Sequence, residues 1–158
     1  MKGKPSVIKA LNGLLTGELS SADQYFIHSR MYHDWGLGEL YERVKHEMEE
    51  ELQHAARLIE RILFLEGVPN VQRLGRISIG ESVPEQFKLD LALEHDAVKR
   101  LGKAIAICFE AADHGSRELL ETILRSEEEH LGWLETQLDV IKQIGDARYL
   151  AEQLRKPS

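Results

Sequence analysis

From Pro5 to Pro69, and again from Pro84 to Pro157, the chain contains no internal proline, and in both stretches apolar residues recur at intervals of three and four. Proline removes a backbone donor and clashes with the preceding turn, so its absence over such lengths lets helices run. The 3.6-residue apolar period makes those helices amphipathic. The chain therefore reads as all-α. Pro5 suits a first helical turn, and the first helix should run from there to the glycines of DWGLG, Asp34 to Gly38. A second spans about Glu39 to Glu66 and stops at EGVPN, where Gly67 is the expected cap and Pro69 blocks continuation. The following VQRLGRISIGESVPEQF has no helical stripe and is long enough to cross a bundle rather than turn. A third helix begins after Ser82, whose spacing to Glu85 is that of a capping box with Pro84 inside the first turn, and reaches about Ala112. After the short turn Ala112 to Ser116, a fourth runs to Ile144 and ends at Gly145. A short fifth helix has Asp146 as expected N-cap and Tyr149, Leu150 and Leu154 as its apolar side. It should dock outside the bundle core or on a partner. Two short turns and one long connection describe a four-helix bundle with a crossover between its second and third helices.

A length of 158 residues with 42% apolar content suits a single domain, 1–158, with one core. The lone cysteine, Cys108, excludes an intrachain disulfide framework and fits a reducing, cytoplasmic setting. The opening MKGKPSVIKALNGLL lacks a long apolar region with a cleavage site, and no run approaches the roughly 18 apolar residues that cross a bilayer. A membrane partner is not expected. The formal net charge of −7 argues against a grip on nucleic acid, which needs clustered cations.

Each of the four long stripes is interrupted by a glutamate. They read Ile8, Leu11, Leu15, Glu18, Ala22, Tyr25; Glu47, Glu51, His54, Leu58, Ile62; Phe87, Leu91, Glu94, Val98, Leu101; and Leu120, Ile123, Glu127, His130, Leu134. Two of the interruptions are Glu-x-x-His, Glu51 with His54 and Glu127 with His130. Residues three apart share a helix face, so each motif offers an oxygen and a nitrogen to one point. Ionised carboxylates in a core cost many kcal/mol unless paired, and no lysine or arginine lies in these stripes near the glutamates. Metal ions resolve the conflict. Four carboxylates and two imidazoles carry a formal −4, which two divalent ions balance, and an oxygen-rich set with one nitrogen per ion suits iron or manganese.

One Glu from each of two helices with Glu-x-x-His from each of the other two is the constellation of ferritin-like di-iron proteins. The division expected is Glu18, Glu51 and His54 on one ion and Glu94, Glu127 and His130 on the other, with Glu51 and Glu127 bridging. The chain also resembles the bacterioferritins along nearly its whole length, through MKG, QYFIHSRMYHDWGL (Gln24 to Leu37), RILFLEGVPN (Arg61 to Asn70) and WLETQLDVI (Trp133 to Ile141). That resemblance implies a ferroxidase in a hollow shell of 24 subunits, oxidising Fe²⁺ with dioxygen or peroxide and storing ferric mineral. A ferredoxin-type reductant would release the iron. Bacterioferritins bind haem through a methionine directly after the metal glutamate of the second helix, and here that position is Leu52. Met48, one turn earlier, does not substitute without moving the haem. The resemblance thus implies a haem-deficient subunit, alone or in a mixed shell with a haem-binding bacterioferritin subunit.

Several further positions have accessory readings. Tyr25 is either a core tyrosine with a satisfied hydroxyl or one that hydrogen-bonds a metal carboxylate or gives up an electron; Trp133 is expected to pack in preference to supplying electrons; and His46 with Glu50 resembles an inner-surface iron site of that family, the alternative being an exposed pair. Glu47 and Asp90 sit near the ligand layers as supporting groups. His28, His33, His95 and His114 show no partner pattern and read as surface or packing residues, and Cys108 as a small buried hydrophobe. The rival reading is a ferritin-like di-iron oxidase or peroxidase that stores nothing.

Overall fold

The computed structural model describes residues 1–155; Pro157, and with it the end of the expected 1–158 domain, lies outside them. Among the described residues there are five helices and no strand: α1 Pro5–Asp34, α2 Gly38–Phe64, α3 Val83–Glu110, α4 His114–Ile144 and α5 Asp146–Ala151. The all-α, four-helix reading holds. α1 packs along α2 and α3 along α4, while α1 also meets α3 and α2 meets α4. The four helices therefore run round a square in the order α1, α2, α4, α3. The crossover climbs α1: Asn70 N–H donates to Asn12 Oδ1 at 2.8 Å, Ser78 N–H to Gln24 Oε1 at 3.0 Å, and Gly80 N–H to His28 Nε2 at 3.1 Å. It delivers the chain to the start of α3, where Ser82 caps Glu85 N–H as its spacing predicted.

The helix ends differ from the sequence expectation in three places. α2 closes through Leu65, with Glu66 in the left-handed region (φ 62) and the Gly67 N–H on the Ile62 carbonyl at 2.9 Å. Gly67 is thus one residue beyond the left-handed position, and it is small because a Cβ there would meet Ile8 Cγ2 at 2.8 Å. α4 starts two residues before Ser116, because Asp113 rather than a later residue caps it by accepting from Ser116 N–H at 3.0 Å. Gly145, with φ 85, stands at the N-cap of α5, so Asp146 lies in the first turn and makes no side-chain cap.

The core is in two parts. Val7, Leu11, Leu15, Leu58, Ile62, Leu101, Cys108, Leu120 and Ile123 fill one end of the bundle, and Tyr25, Tyr32, Leu40, Phe87, Leu134 and Tyr149 fill the other. Tyr149 corrects the expectation for the fifth helix. It is 2% exposed, packs against Phe87, and donates to Gln137 Oε1 at 2.6 Å, so α5 plugs the bundle end. Beyond it, Glu39 N–H reaches Gln153 O at 3.2 Å and Arg155 pairs with Glu39 at 3.1 Å, while Leu154 is exposed. Among the described residues no helix is long and apolar enough to cross a membrane.

Candidate metal centre

The layer between the two cores is polar. α1 brings Glu18 to it, α2 Glu51 and His54, α3 Glu94, and α4 Glu127 and His130. All six are buried, five of them at 5% exposure or less and His54 at 8%. They form two overlapping groups, Glu18, Glu51, His54 and Glu127, and Glu51, Glu94, Glu127 and His130; in each, one potential ligand atom per residue lies within 4.8 Å of all the others. Glu51 and Glu127 belong to both. The structure therefore gathers the six residues that the stripes single out, with the two shared glutamates between the two histidines.

Both rings aim Nδ1 inward. His54 Nδ1 is 3.0 Å from Glu127 Oε1, 3.5 Å from Glu18 Oε2 and 3.9 Å from Glu51 Oε2. His130 Nδ1 is 3.1 Å from Glu51 Oε1, 3.5 Å from Glu127 Oε2 and 3.6 Å from Glu94 Oε1. Buried oxygens of Glu18, Glu51, Glu94 and Glu127, together with His130 Nδ1, nevertheless lack a hydrogen-bond partner. Buried polar atoms are ordinarily satisfied, and here the unsatisfied ones face one another. That is the donor set of a cation site rather than of a hydrogen-bond network. Its oxygen-rich composition fits two hard or borderline divalent ions.

The protonation of the cluster without metal tells the same story. Burial pushes the carboxyls of Glu18, Glu51 and Glu94 well above the usual range, and crowding by Glu127 adds to the shift. Burial opposes ionisation of Glu127 too, but its neighbours Glu94, His130 and His54 outweigh it and hold that carboxyl below its ordinary value. For His54 burial disfavours the cation, yet Glu127 and Glu18 outweigh it and raise the imidazole to about 9. His130 is raised as well, by Glu127, Glu51 and Glu94 against the effect of burial. Metal binding by these residues is therefore coupled to the release of protons.

Tyr25 donates to Glu94 from a fully buried position, and burial, followed by the Glu94 charge, keeps its phenol protonated. Glu50 does more than its spacing to His46 indicated. It takes His46 Nε2 at 2.8 Å and also His130 Nε2 at 2.6 Å, which fixes the outer nitrogen of His130 as a donor and turns Nδ1 inward. Glu47, one turn before Glu51, is buried and has a cation after all: Arg43 Nε lies 2.9 Å away, while the Arg43 guanidinium covers the Trp133 ring at 4.7 Å. Met48 is half-buried against the Tyr32 end of the core, and Leu52 is 47% exposed on the outside of α2. Cys108 is buried, its thiol pushed up to about 11 by burial.

One histidine departs from the sequence reading. His33, His95 and His114 are exposed, but His28 is wholly buried and joins α1, α3 and the crossover. Its Nδ1 is 2.9 Å from Asp90 Oδ1, an oxygen that also accepts from Gln24 Nε2 at 2.8 Å. Because Nε2 accepts the Gly80 N–H, the ring donates from Nδ1. No local pattern signals this link, since Asp90 lies 62 positions away.

A buried carboxylate and imidazole layer between the halves of a bundle with one long crossover defines a class of protein, the ferritin-like four-helix bundle. A family model described as ferritin-like domain matches residues 8–144. The chain is 52% identical to a bacterial ferritin of Pseudomonas aeruginosa, covering 98% of this chain and 100% of that one, and 50% identical to a bacterial ferritin of Synechocystis, covering 98% and 99%. It is 44% identical to a bacterioferritin of Mycobacterium leprae over 99% of each. The chain belongs to the bacterioferritins of the ferritin-like family.

Proposed function

We propose that the protein stores and detoxifies iron, with ferrous iron as the substrate of a ferroxidase centre made by Glu18, Glu51, His54, Glu94, Glu127 and His130. One observation carries the reading: the unpartnered buried carboxylate oxygens of four helices converge with Nδ1 of both histidines. Glu18 and His54 would hold one Fe²⁺, Glu94 and His130 the other, and Glu51 and Glu127 would span both. Two ferrous ions lose one electron each. Dioxygen takes both with two protons and leaves as hydrogen peroxide, or hydrogen peroxide takes them with two protons and leaves as two waters. The anionic ligand set favours the ferric state, Glu50 holds the His130 ring in place, and the apolar cores on either side exclude bulk water. Tyr25 holds Glu94 through its hydroxyl.

The relatives named bacterial ferritin and bacterioferritin support storage, and with it a cytoplasmic shell of 24 subunits in which ferric mineral accumulates. Leu52 offers no thioether, so haem would enter only through a haem-binding partner subunit, and a ferredoxin-type reductant would draw the iron out. Aerobic Fe²⁺ addition to the metal-free protein, followed by size exclusion with iron and protein quantified together, tests the reading. Iron far above two per chain in a very large particle is the expected result. About two per chain in a small oligomer would instead mark a di-iron oxidase or peroxidase without storage.

A further inference from the structure

The α1/α3 and α2/α4 sides of the square are opposite faces of the bundle, and their chemistry differs. On the α2/α4 side the centre is approached through Glu50, which is partly exposed, touches Ser126 of α4 at 3.4 Å, and connects the exposed His46 to His130. That face thus carries a carboxylate and an exposed imidazole as potential metal donors leading to His130. On the α1/α3 side, under the crossover, a pocket of about 90 Å³ has Glu18 in its wall. Gly17, Gly75 and Ala97 are among its other lining residues, and its charged ones besides Glu18 are Arg76, Asp96 and Arg100. Past Gly75 and Arg100 comes a wider groove of about 450 Å³ whose charged lining is Arg73, Arg100 and Lys103.

The combined vestibule therefore presents four cations, Arg73, Arg76, Arg100 and Lys103, against one surface carboxylate. That carboxylate, Asp96, is held by Arg100 at 2.7 Å. In a chain of net charge −7 this is a local reversal of sign. A positive vestibule lowers the local concentration of a divalent cation and leaves that of a neutral molecule unchanged. The inner pocket has room for only a few molecules the size of water, at roughly 30 Å³ each. It has room for dioxygen or hydrogen peroxide.

We propose that the α1/α3 pocket is the entrance of the neutral oxidant to the centre, and that ferrous iron arrives by the opposite, α2/α4 face. The proposal rests on the ferroxidase reading and separates the two reactants that reading needs. Delivered from opposite sides, oxidant and Fe²⁺ meet at the buried layer and not in the approach. Gly17 is a lining position at which side-chain volume can be added. A Cβ added there meets only Arg100 Nη1, at 3.1 Å, the end of a flexible side chain, so the backbone tolerates it while the pocket shrinks.

The test compares the wild type with Gly17→Ala and Gly17→Leu in two measurements. Anaerobic Fe²⁺ binding is followed for rate and stoichiometry, and oxidation of the pre-loaded protein is followed against dioxygen and hydrogen peroxide concentration. The expected result is unchanged binding of about two Fe²⁺ per chain, with the second-order oxidation rate falling a few-fold in Gly17→Ala and about tenfold or more in Gly17→Leu. Slower Fe²⁺ binding in step with slower oxidation would overturn the proposal by making the pocket the cation's route. Unchanged oxidation in Gly17→Leu, with its helicity intact, would overturn it by removing the route altogether. A wild type that binds no Fe²⁺ would sink the ferroxidase reading itself, a distinct outcome.

Discussion

At the scale of single residues, His54 shows how the metal-free centre stores charge. The imidazole gains Glu127 and Glu18 as partners on folding, so its proton is held more tightly in the folded chain than in the unfolded one. Stability from such a group is complete below its ordinary value near 6.5 and is lost as pH rises through about 9. The raised carboxyls of Glu18, Glu51 and Glu94 act in the same sense, since they too keep protons that the unfolded chain releases. The thermal midpoint of the metal-free protein should therefore fall between pH 6.5 and 9, with His54 contributing on the order of 3 kcal/mol to the loss. Scanning calorimetry of metal-free wild type and His54→Gln checks this: the variant should show a flatter profile, and a wild-type midpoint that climbs over that interval would contradict the assignment of the proton. The six residues of the centre were readable because a charged residue in an apolar stripe contradicts its neighbours. His28 was not. It lies on no stripe conflict of its own, and its partners come from α3 and from the crossover, which only folding brings together.

At the scale of elements, the helix ends separate what local sequence encodes from what it does not. Gly36, in the left-handed region with φ 76, closes α1 and was legible as a stop. The same left-handed turn closes α2 at Glu66 and α3 at Ala112 without glycine, with the Asp113 N–H reaching the Cys108 carbonyl at 2.9 Å. A side chain at positive φ is strained by roughly 1–2 kcal/mol, and glycine at an exposed site relieves that at a partly offsetting cost in unfolded-state entropy. Ala112→Gly should stabilise the protein by about 0.5–1 kcal/mol in denaturant titration; a loss of stability would show that the turn is held by its neighbours rather than tolerated by them. The adjoining Asp113 carries more. It caps α4 through Ser116 N–H and takes Arg61 Nη2 at 2.8 Å, tying the end of α2 to the α3–α4 turn, and these bonds hold its carboxyl below the usual range against the effect of partial burial. Asp113→Ala should cost about 1–2 kcal/mol, and Asp113→Asn, which keeps a capping oxygen, about half of that. Equal losses in the two variants would place the value in the Arg61 pair and not in the cap.

At the scale of the whole molecule, the bundle is two apolar cores separated by a layer that opposes folding when it is empty of cations. Glu51 sits at the middle of that layer, wholly buried, with both carboxylate oxygens unpartnered and its carboxyl pushed well above the usual range by burial. Replacing a buried ionisable group of this kind by a neutral one of the same shape is often neutral or stabilising, whereas a ligand that binds only the folded chain stabilises it by mass action. The two effects predict a crossing. Metal-free Glu51→Gln should melt at or above the metal-free wild type, because the amide keeps the side chain's shape without a group whose ionisation burial opposes. With a divalent ion other than iron, such as Co²⁺ added without air, at about a hundred times its dissociation constant, the wild type should gain about 2.7 kcal/mol, which is roughly 5–10 °C for a chain of this size, and a chelator should reverse the gain. Glu51→Gln should gain much less, since it loses an oxygen that both ions share, and the order of stability should invert. A single thermal-melt series in the presence of Co²⁺ and of chelator reads all four states. If Glu51→Gln were the less stable protein in both conditions, Glu51 would be a structural carboxylate and the polar layer would not owe its place in the fold to metal.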